Sequence, residues 1–343
     1  MLALALAGAA SADEPAKWLE RMNHALTTLN YDGTLAHWQG GKVEMLRIIH
    51  RVENGIVSER LVSLDGSGRE FIRTGSRLAC YLPDKHVVLV ERTPVKASLL
   101  GGFPVVDAQT MRFYDIKDVG QMRFNRRNTR LITVMPRDQY RYGYRLWIDD
   151  STAMPLKTQL CDSHGKVIEQ IVFTSLKIRR HIPDSAFQPG ISTAGFRWLR
   201  NDSPPNRQKV NPNGTVWRVG RLPPGFHMTV RAAQDMPGEP GPVDHLVFTD
   251  GLASVSVFVE THAERTPPGR APVTESAHVG SSYAFSTVVD GHKVTAVGEV
   301  PPETVRFIAD SVKAEKTSDA APPPASLGPL PGGPFAHSPP PPN

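Results

Sequence analysis

The sequence predicts a mainly β protein with some α: a large antiparallel sheet domain followed by a small α+β domain. Three observations carry this. Runs of alternating apolar and polar residues follow one another at hairpin spacing through the first half, so the sheet is a meander and not a series of βαβ crossovers. A proline- and asparagine-rich stretch, Phe196 to Gly214, then breaks the alternation. Beyond it the alternation resumes and ends in a stripe of helical spacing, Val305, Ile308, Ala309 and Val312.

The 343 residues suffice for two cores. A net charge of +5 and a pI near 9.2 permit an anionic partner without selecting one. No nucleic-acid partner is expected. No run reaches the roughly 18–20 apolar residues of a membrane span.

Residues 1–12 read as the apolar region and Ala10-Ser11-Ala12 cleavage site of a secretory signal, which predicts export to the periplasm. The basic segment that normally precedes such a run is missing, which fits a start placed too far downstream. From Asp13 to Leu29, Trp18, Met22, Ala25, Leu26 and Leu29 share one helical stripe. Strands are expected at Thr34–Trp38, Val43–Val52, Ser58–Leu64, Glu70–Arg73, Arg77–Leu82 and Val87–Arg92. Thr93 to Thr110, with Gly101-Gly102-Phe103-Pro104, reads as a surface loop or as a flap over the sheet.

Pro136 to Ile178 carries the strongest alternation. Tyr140, Tyr142, Tyr144, Leu146 and Ile148 take one face; Arg141, Arg145 and Asp149 take the other. Turns at Asp149-Asp150-Ser151 and Asp162-Ser163-His164-Gly165 lead into two more strands. The apolar face, joined by Leu46 and Ile48 if register matches, either packs under the N-terminal helix or holds acyl chains. Nine basic residues against three acidic ones run from Arg112 to Arg145. Arg126, Arg127 and Arg130 read as a solvated strand face or as an anion-recognising cluster.

The sheet domain is placed at 13–195, the linker at 196–214 and the α+β domain at 215–315. Residues 316–343, with ten prolines, read as a disordered tail. In the second domain Tyr283–Val289 and Lys293–Val300 flank Asp290-Gly291, a type I′ hairpin signal, and Pro301-Pro302-Glu303 opens a helix. Phe248, Leu252, Val255, Val257 and Phe258 crowd one short segment. That crowding suggests either a partner surface or a structural edge strand.

No catalytic or metal-binding pattern is present: no H-E-x-x-H, G-x-x-x-x-G-K-[ST], G-x-S-x-G or C-x-x-C. The expectation is a binding protein without cofactor or metal, not an enzyme. Homo-oligomerisation is left open. Cys80 and Cys161 form either a disulfide or two buried thiols; opposite strand faces argue against the bridge.

The segment Asp138 to Lys157, D-x-x-R-Y-x-Y-R-L-W-I-D-x-x-T-x-x-P-L-K, resembles the MucB/RseB family of periplasmic regulators. The words NYDGTL, RIIHRVENG, ERLVSLDGSGREFIR, CYLPD, LPPGF, HLVFTDGLASVSVFVE and VTAVGEVPPETV extend the likeness from about residue 17 to 314. At Arg123-Phe124-Asn125-Arg126-Arg127 the chain departs from the family's R-V-A-G-R-like element. The resemblance implies a large unclosed antiparallel β-barrel, similar to the LolA/LolB lipoprotein carriers and covered by helices. It also implies binding to the periplasmic part of a membrane anti-sigma factor, which is shielded from its first protease until lipid or lipopolysaccharide binds. On that reading Leu46, Ile48 and the Tyr140–Ile148 face meet acyl chains, Arg126, Arg127 and Arg130 meet phosphates, and Phe248–Phe258 meet the anti-sigma factor. A periplasmic lipid or lipoprotein carrier is the alternative.

Overall fold

The computed structural model describes residues 14–92, 99, 110–201, 215–235, 241–263 and 274–316. The signal region, most of the 93–109 loop, the linker from 202 to 214 and the tail beyond 316 lie outside the described residues.

Helix α1 (Glu14–Thr28) precedes twelve strands that form one sheet. These are β1 (Tyr31–Gln39), β2 (Lys42–Glu53), β3 (Ile56–Ser63), β4 (Glu70–Thr74), β5 (Arg77–Leu82) and β6 (Val87–Arg92). After the loop come β7 (Tyr114–Phe124), β8 (Arg127–Pro136), β9 (Gly143–Asp149), β10 (Pro155–Cys161), β11 (Val167–Ile178) and β12 (Arg197–Asn201). The spatial order is β12-β6-β5-β4-β3-β2-β1-β11-β10-β9-β8-β7, so β12 and β7 are edges and the sheet is unclosed. Every pairing is antiparallel except β12 with β6.

Strand β12 moves the boundary from the expected 196, placing residues 197–201 in the sheet and not in the linker. The Arg197 N–H donates to the His86 carbonyl and Trp198 packs edge-on against Tyr81. The short strand thereby covers the edge that β6 would otherwise expose. Prolines nearby masked it in the sequence.

Helix α1 lays Trp18, Leu19, Met22, Ala25 and Leu26 into one cluster with Tyr31, Leu35, Ile48, Ile132, Leu146, Ile148 and Phe173 of the sheet. Burying each large side chain of that kind is worth about 1.5–3 kcal/mol. The apolar side chains of this face pack under α1.

The second domain holds β13 (Thr215–Val219), β14 (His227–Asp235), β15 (Pro242–Thr249), β16 (Ser254–Ala263), β17 (Glu275–Val279), β18 (Ser282–Val289), β19 (His292–Gly298), α2 (Pro302–Ala309) and β20 (Val312–Lys316). Six strands pair in the order β14-β15-β16-β19-β18-β17, and β13 pairs with β20. Helix α2 begins at the expected proline and buries Val305, Ile308 and Ala309 against the sheet. Val312, expected on the helical stripe, starts β20 instead. Asp290 and Gly291 both have positive φ (50° and 81°), as a type I′ turn requires.

Cys80 on β5 and Cys161 on β10 are six strand steps apart in the sheet order. Both are free buried thiols, so the bridge is not formed.

Candidate functional site

The expected acyl-chain face divides in three. Ile48, Leu146 and Ile148 are fully buried under α1, while Leu46 and Tyr144 are partly buried against the same core. Tyr140 and Tyr142 leave the sheet altogether. Strand β9 starts only at Gly143, because the Asp138 carboxylate takes the Tyr140 N–H (3.0 Å) and the Arg141 Nε (3.0 Å) and bends the chain. The period-two pattern therefore ran three residues too far upstream.

That bend builds a joint between the domains. Arg141, expected on a solvated face, is the largest fully buried side chain. Its guanidinium donates from Nη1 to Asp250 (2.5 Å) and from Nη2 to the Pro224 carbonyl (2.5 Å), both in the second domain. The Phe113, Tyr114 and Phe226 rings surround it at 4.9–5.5 Å. Asp250 also accepts from the Tyr114 hydroxyl (3.0 Å) and from the N–H groups of Leu252 and Ala253. The buried charge is thus paired and hydrogen-bonded, the condition under which such burial is tolerated. Nearby, the Tyr140 ring lies 5.4 Å from Phe307 of α2, and the Tyr140 carbonyl accepts from Thr304 Oγ1 (2.7 Å).

Glycines let the surfaces meet. At Gly225, Gly251 and Gly280, each with positive φ, the place of a β-carbon is taken by Phe113, Thr110 and Gln39 of the first domain.

At the far end of the joint, Ser281 Oγ sits 2.7 Å from Glu169 Oε2 on β11 and 2.5 Å from Glu299 Oε1, just past β19. Gln39 Nε2 donates to Glu169 (2.6 Å) and to Ser281 (3.2 Å), and His37 Nε2 is 2.8 Å from Glu169 Oε1. The hydrogen bond to Glu169 raises the His37 imidazole above its usual value. Burial pushes Glu169 upward, but His37, Ser281 and Gln39 together hold it below the ordinary carboxylate range.

The arginine cluster is largely committed to ion pairs. Arg127 Nε is 3.0 Å from Asp149, and Arg130 Nη1 is 2.6 Å from Asp118 and lies over Trp18. Arg126 is exposed in the β7–β8 turn, where Asn125 and Arg126 have φ of 46° and 63°. The three side chains do not form one open anion site.

The expected partner residues also separate. Phe248, Val255 and Val257 are core, because β15 and β16 bring them to the same inner face. Leu252 packs against the first domain's core from the joint. Phe258 lies on the opposite face of β16, stacked at 4.4 Å on His245. The crowding is resolved by a strand change and a turn, not by exposure. Among the described residues, no group of His, Cys, Asp and Glu is placed to hold a metal ion.

Known proteins match across both domains. The family model for the MucB/RseB N-terminal domain covers residues 14–191, and that for the MucB/RseB C-terminal domain covers 211–313. The sigma factor AlgU regulatory protein MucB of Pseudomonas aeruginosa is 32% identical over 312 residues, 90% of this chain and 93% of that protein. The sigma-E factor regulatory protein RseB of Salmonella typhimurium is 28% identical over 296 residues, 86% of this chain and 89% of the relative. The solved complex of P. aeruginosa MucA and MucB aligns with a TM-score of 0.67 at 30% identity, over 88% of this chain and 99% of that one. A crystal structure of MucB aligns at 0.57 and 30% identity, over 89% and 99% of the two chains. The matched residues span both domains and the joint between them, and the chain belongs to the MucB/RseB family.

Proposed function

We propose that this chain is a periplasmic regulator that binds the periplasmic segment of a membrane anti-sigma factor. It shields that segment from the first protease of the stress cascade and so restrains an envelope stress sigma factor. The observation that carries this reading is the two-domain alignment with MucB in its complex with MucA, at a TM-score of 0.67 over 99% of that chain. The carrier alternative is not favoured, since a carrier has no need of the second domain that the family model matches.

Binding of acyl chains to the large domain, with release of the anti-sigma segment, is the second half of the proposal. It requires lipid to bind the partner-free form more tightly, because a ligand with equal affinity for both forms shifts nothing. Residues Ile48, Leu146 and Ile148 are occupied by α1, so acyl chains reach them only by displacing that helix. Of the partner-surface candidates, Phe258, half-buried and stacked on His245, is the one that belongs to neither core. The protein acts by binding, not by catalysis.

The test is calorimetric titration of the mature chain with the host's own anti-sigma periplasmic segment, followed by addition of lipopolysaccharide. Saturable one-to-one binding that lipopolysaccharide reverses is expected. Absence of binding by the full chain sinks the regulator reading; binding indifferent to lipopolysaccharide sinks only the release step.

A further inference from the structure

The contact at Ser281 has more acceptors than hydrogens. A serine hydroxyl donates one hydrogen, yet Ser281 Oγ lies within 2.7 Å of carboxylate oxygens from both Glu169 and Glu299. The hydroxyl is 2% exposed as a residue, so water does not mediate both contacts. Glu169 already receives Gln39 Nε2 and faces His37 Nε2, whereas Glu299 meets Ser281 Oγ and the Glu169 carboxylate. Protonation of Glu299 satisfies every atom. Glu299 carries a proton and donates to Ser281 Oγ, Ser281 donates to the Glu169 carboxylate, and Gln39 supplies the remaining hydrogens. If Glu299 is ionised, two carboxylates flank one hydroxyl and the second contact turns repulsive.

Glu169, His37 and Gln39 belong to the first domain, Ser281 and Glu299 to the second. We propose that this cluster is a proton-operated latch on the domain joint: protonated Glu299 closes through Ser281 onto Glu169, and loss of that proton loosens this end of the joint. The Arg141–Asp250 end, a fully buried ion pair, remains as the hinge.

Charged and titratable groups from several elements surround the latch. They include His37 on β1, Glu44 on β2, Tyr142 just before β9, Tyr144 on β9, Asp162 after β10, Glu169 on β11, Asp250 after β15, Tyr283 on β18 and Glu303 on α2. Desolvation of its inward end raises the Glu299 carboxyl, and the Glu169 charge raises it further, against Ser281 and His37. Glu299 keeps an exposed flank, so its proton exchanges with solvent without prior unfolding. Both Glu299 and His37 bind protons more tightly in the closed joint. Their contribution is lost as pH rises through the raised values, while Glu169, held low, contributes in the opposite sense and loses its share only as pH falls through its own lowered range.

Spin labels on Val43→Cys and Val279→Cys, both exposed positions flanking the latch, read its width in the full chain. The native thiols are buried, and burial pushes Cys80 up to about 11 and raises Cys161, so they resist labelling. Pulsed electron resonance at about pH 4.5 is expected to give one narrow separation that broadens and lengthens by about pH 8. Glu299→Gln donates to Ser281 as the acid does and cannot ionise, so it stays narrow at both. An unchanged distribution in the labelled parent across that range overturns the latch. So does a Glu299→Gln variant that keeps the parent's full response. Because the chain is measured alone, the result is independent of whether an anti-sigma factor binds.

Discussion

Arg141 Nη1 lies 2.5 Å from Asp250 Oδ2, with both side chains fully buried, and the pair joins two domains whose sequences meet 109 residues apart. A buried pair of this kind adds little net stability over an apolar pair of the same shape, but it specifies one docking geometry. The planar guanidinium needs the Pro224 carbonyl, Asp138 and Asp250 at once, and only one orientation of the second domain provides them.

Asp250→Ala leaves the Arg141 charge buried with Asp138 as its remaining carboxylate. The expected cost is about 3–5 kcal/mol in urea denaturation, with smaller loss in the double variant Arg141→Met/Asp250→Leu. A single variant within about 1 kcal/mol of the parent removes the pair from its role.

Gly225→Ala and Gly66→Ala separate strain from docking. Both glycines have nearly the same φ (85° and 87°), but the β-carbon at 225 meets the Phe113 ring while that at 66 meets nothing. Gly66→Ala is expected to cost about 1 kcal/mol from backbone strain. Gly225→Ala is expected to cost more and to expand the particle in small-angle scattering. Equal costs and equal dimensions mean the Phe113 contact does not hold the joint.

The hairpin pairings from β1 to β6 were legible because hairpin-length gaps leave few alternatives; the β1–β11 pairing and the parallel β12–β6 pairing, which join distant stretches of chain, were not. The α2 start and the type I′ turn at Asp290-Gly291 were legible for the same local reason: proline and Asx-Gly fix φ by themselves. The joint was not. Tyr140 and Tyr142 continue the β9 alternation in sequence, and only the Asp138 side chain, which bends the chain at Tyr140, stops the strand. Arg141 reads as a surface charge until Asp250 is brought to it from another domain. One signal was present: LPPGF and FTDGL carry Gly225 and Gly251, and both words now lie at the joint. Phe248, Val255 and Val257 read as a candidate surface because their crowding does not show that β15 and β16, hinged at Asp250-Gly251, bring them to one inner face.

If acyl chains enter the large domain, α1 must leave its seat. Trp18 and Met22 occupy the core beside Leu146 and Ile148, so lipid uptake is expected to abolish amide protection across residues 14–28 while β1 and β11 keep theirs. Hydrogen exchange with and without a lipopolysaccharide micelle reads this. Uptake with α1 still protected places the lipid elsewhere.

The core of the first domain is expected to lose stability in mild acid through His50. The ring is 2% exposed and stacks at 4.8 Å on Tyr31, and its Nδ1 lies 2.8 Å from the Leu29 carbonyl, which fixes Nδ1–H as the donor. Burial lowers its affinity for a second proton below the usual 6.5, although Glu59 nearby works the other way. A histidine depressed in the folded state contributes stability that is complete above 6.5 and is lost as pH falls below it, because the unfolded chain then binds more protons. His245, also lowered by burial, acts in the same direction, and His37, raised by Glu169, acts against it. The slope from one such group is at most about 1.4 kcal/mol per pH unit. Urea denaturation at stepped pH should therefore show a decline below about 6.5 that is shallower in His50→Gln. Parallel curves for the two proteins would mean that His50 is protonated as readily in the fold as outside it.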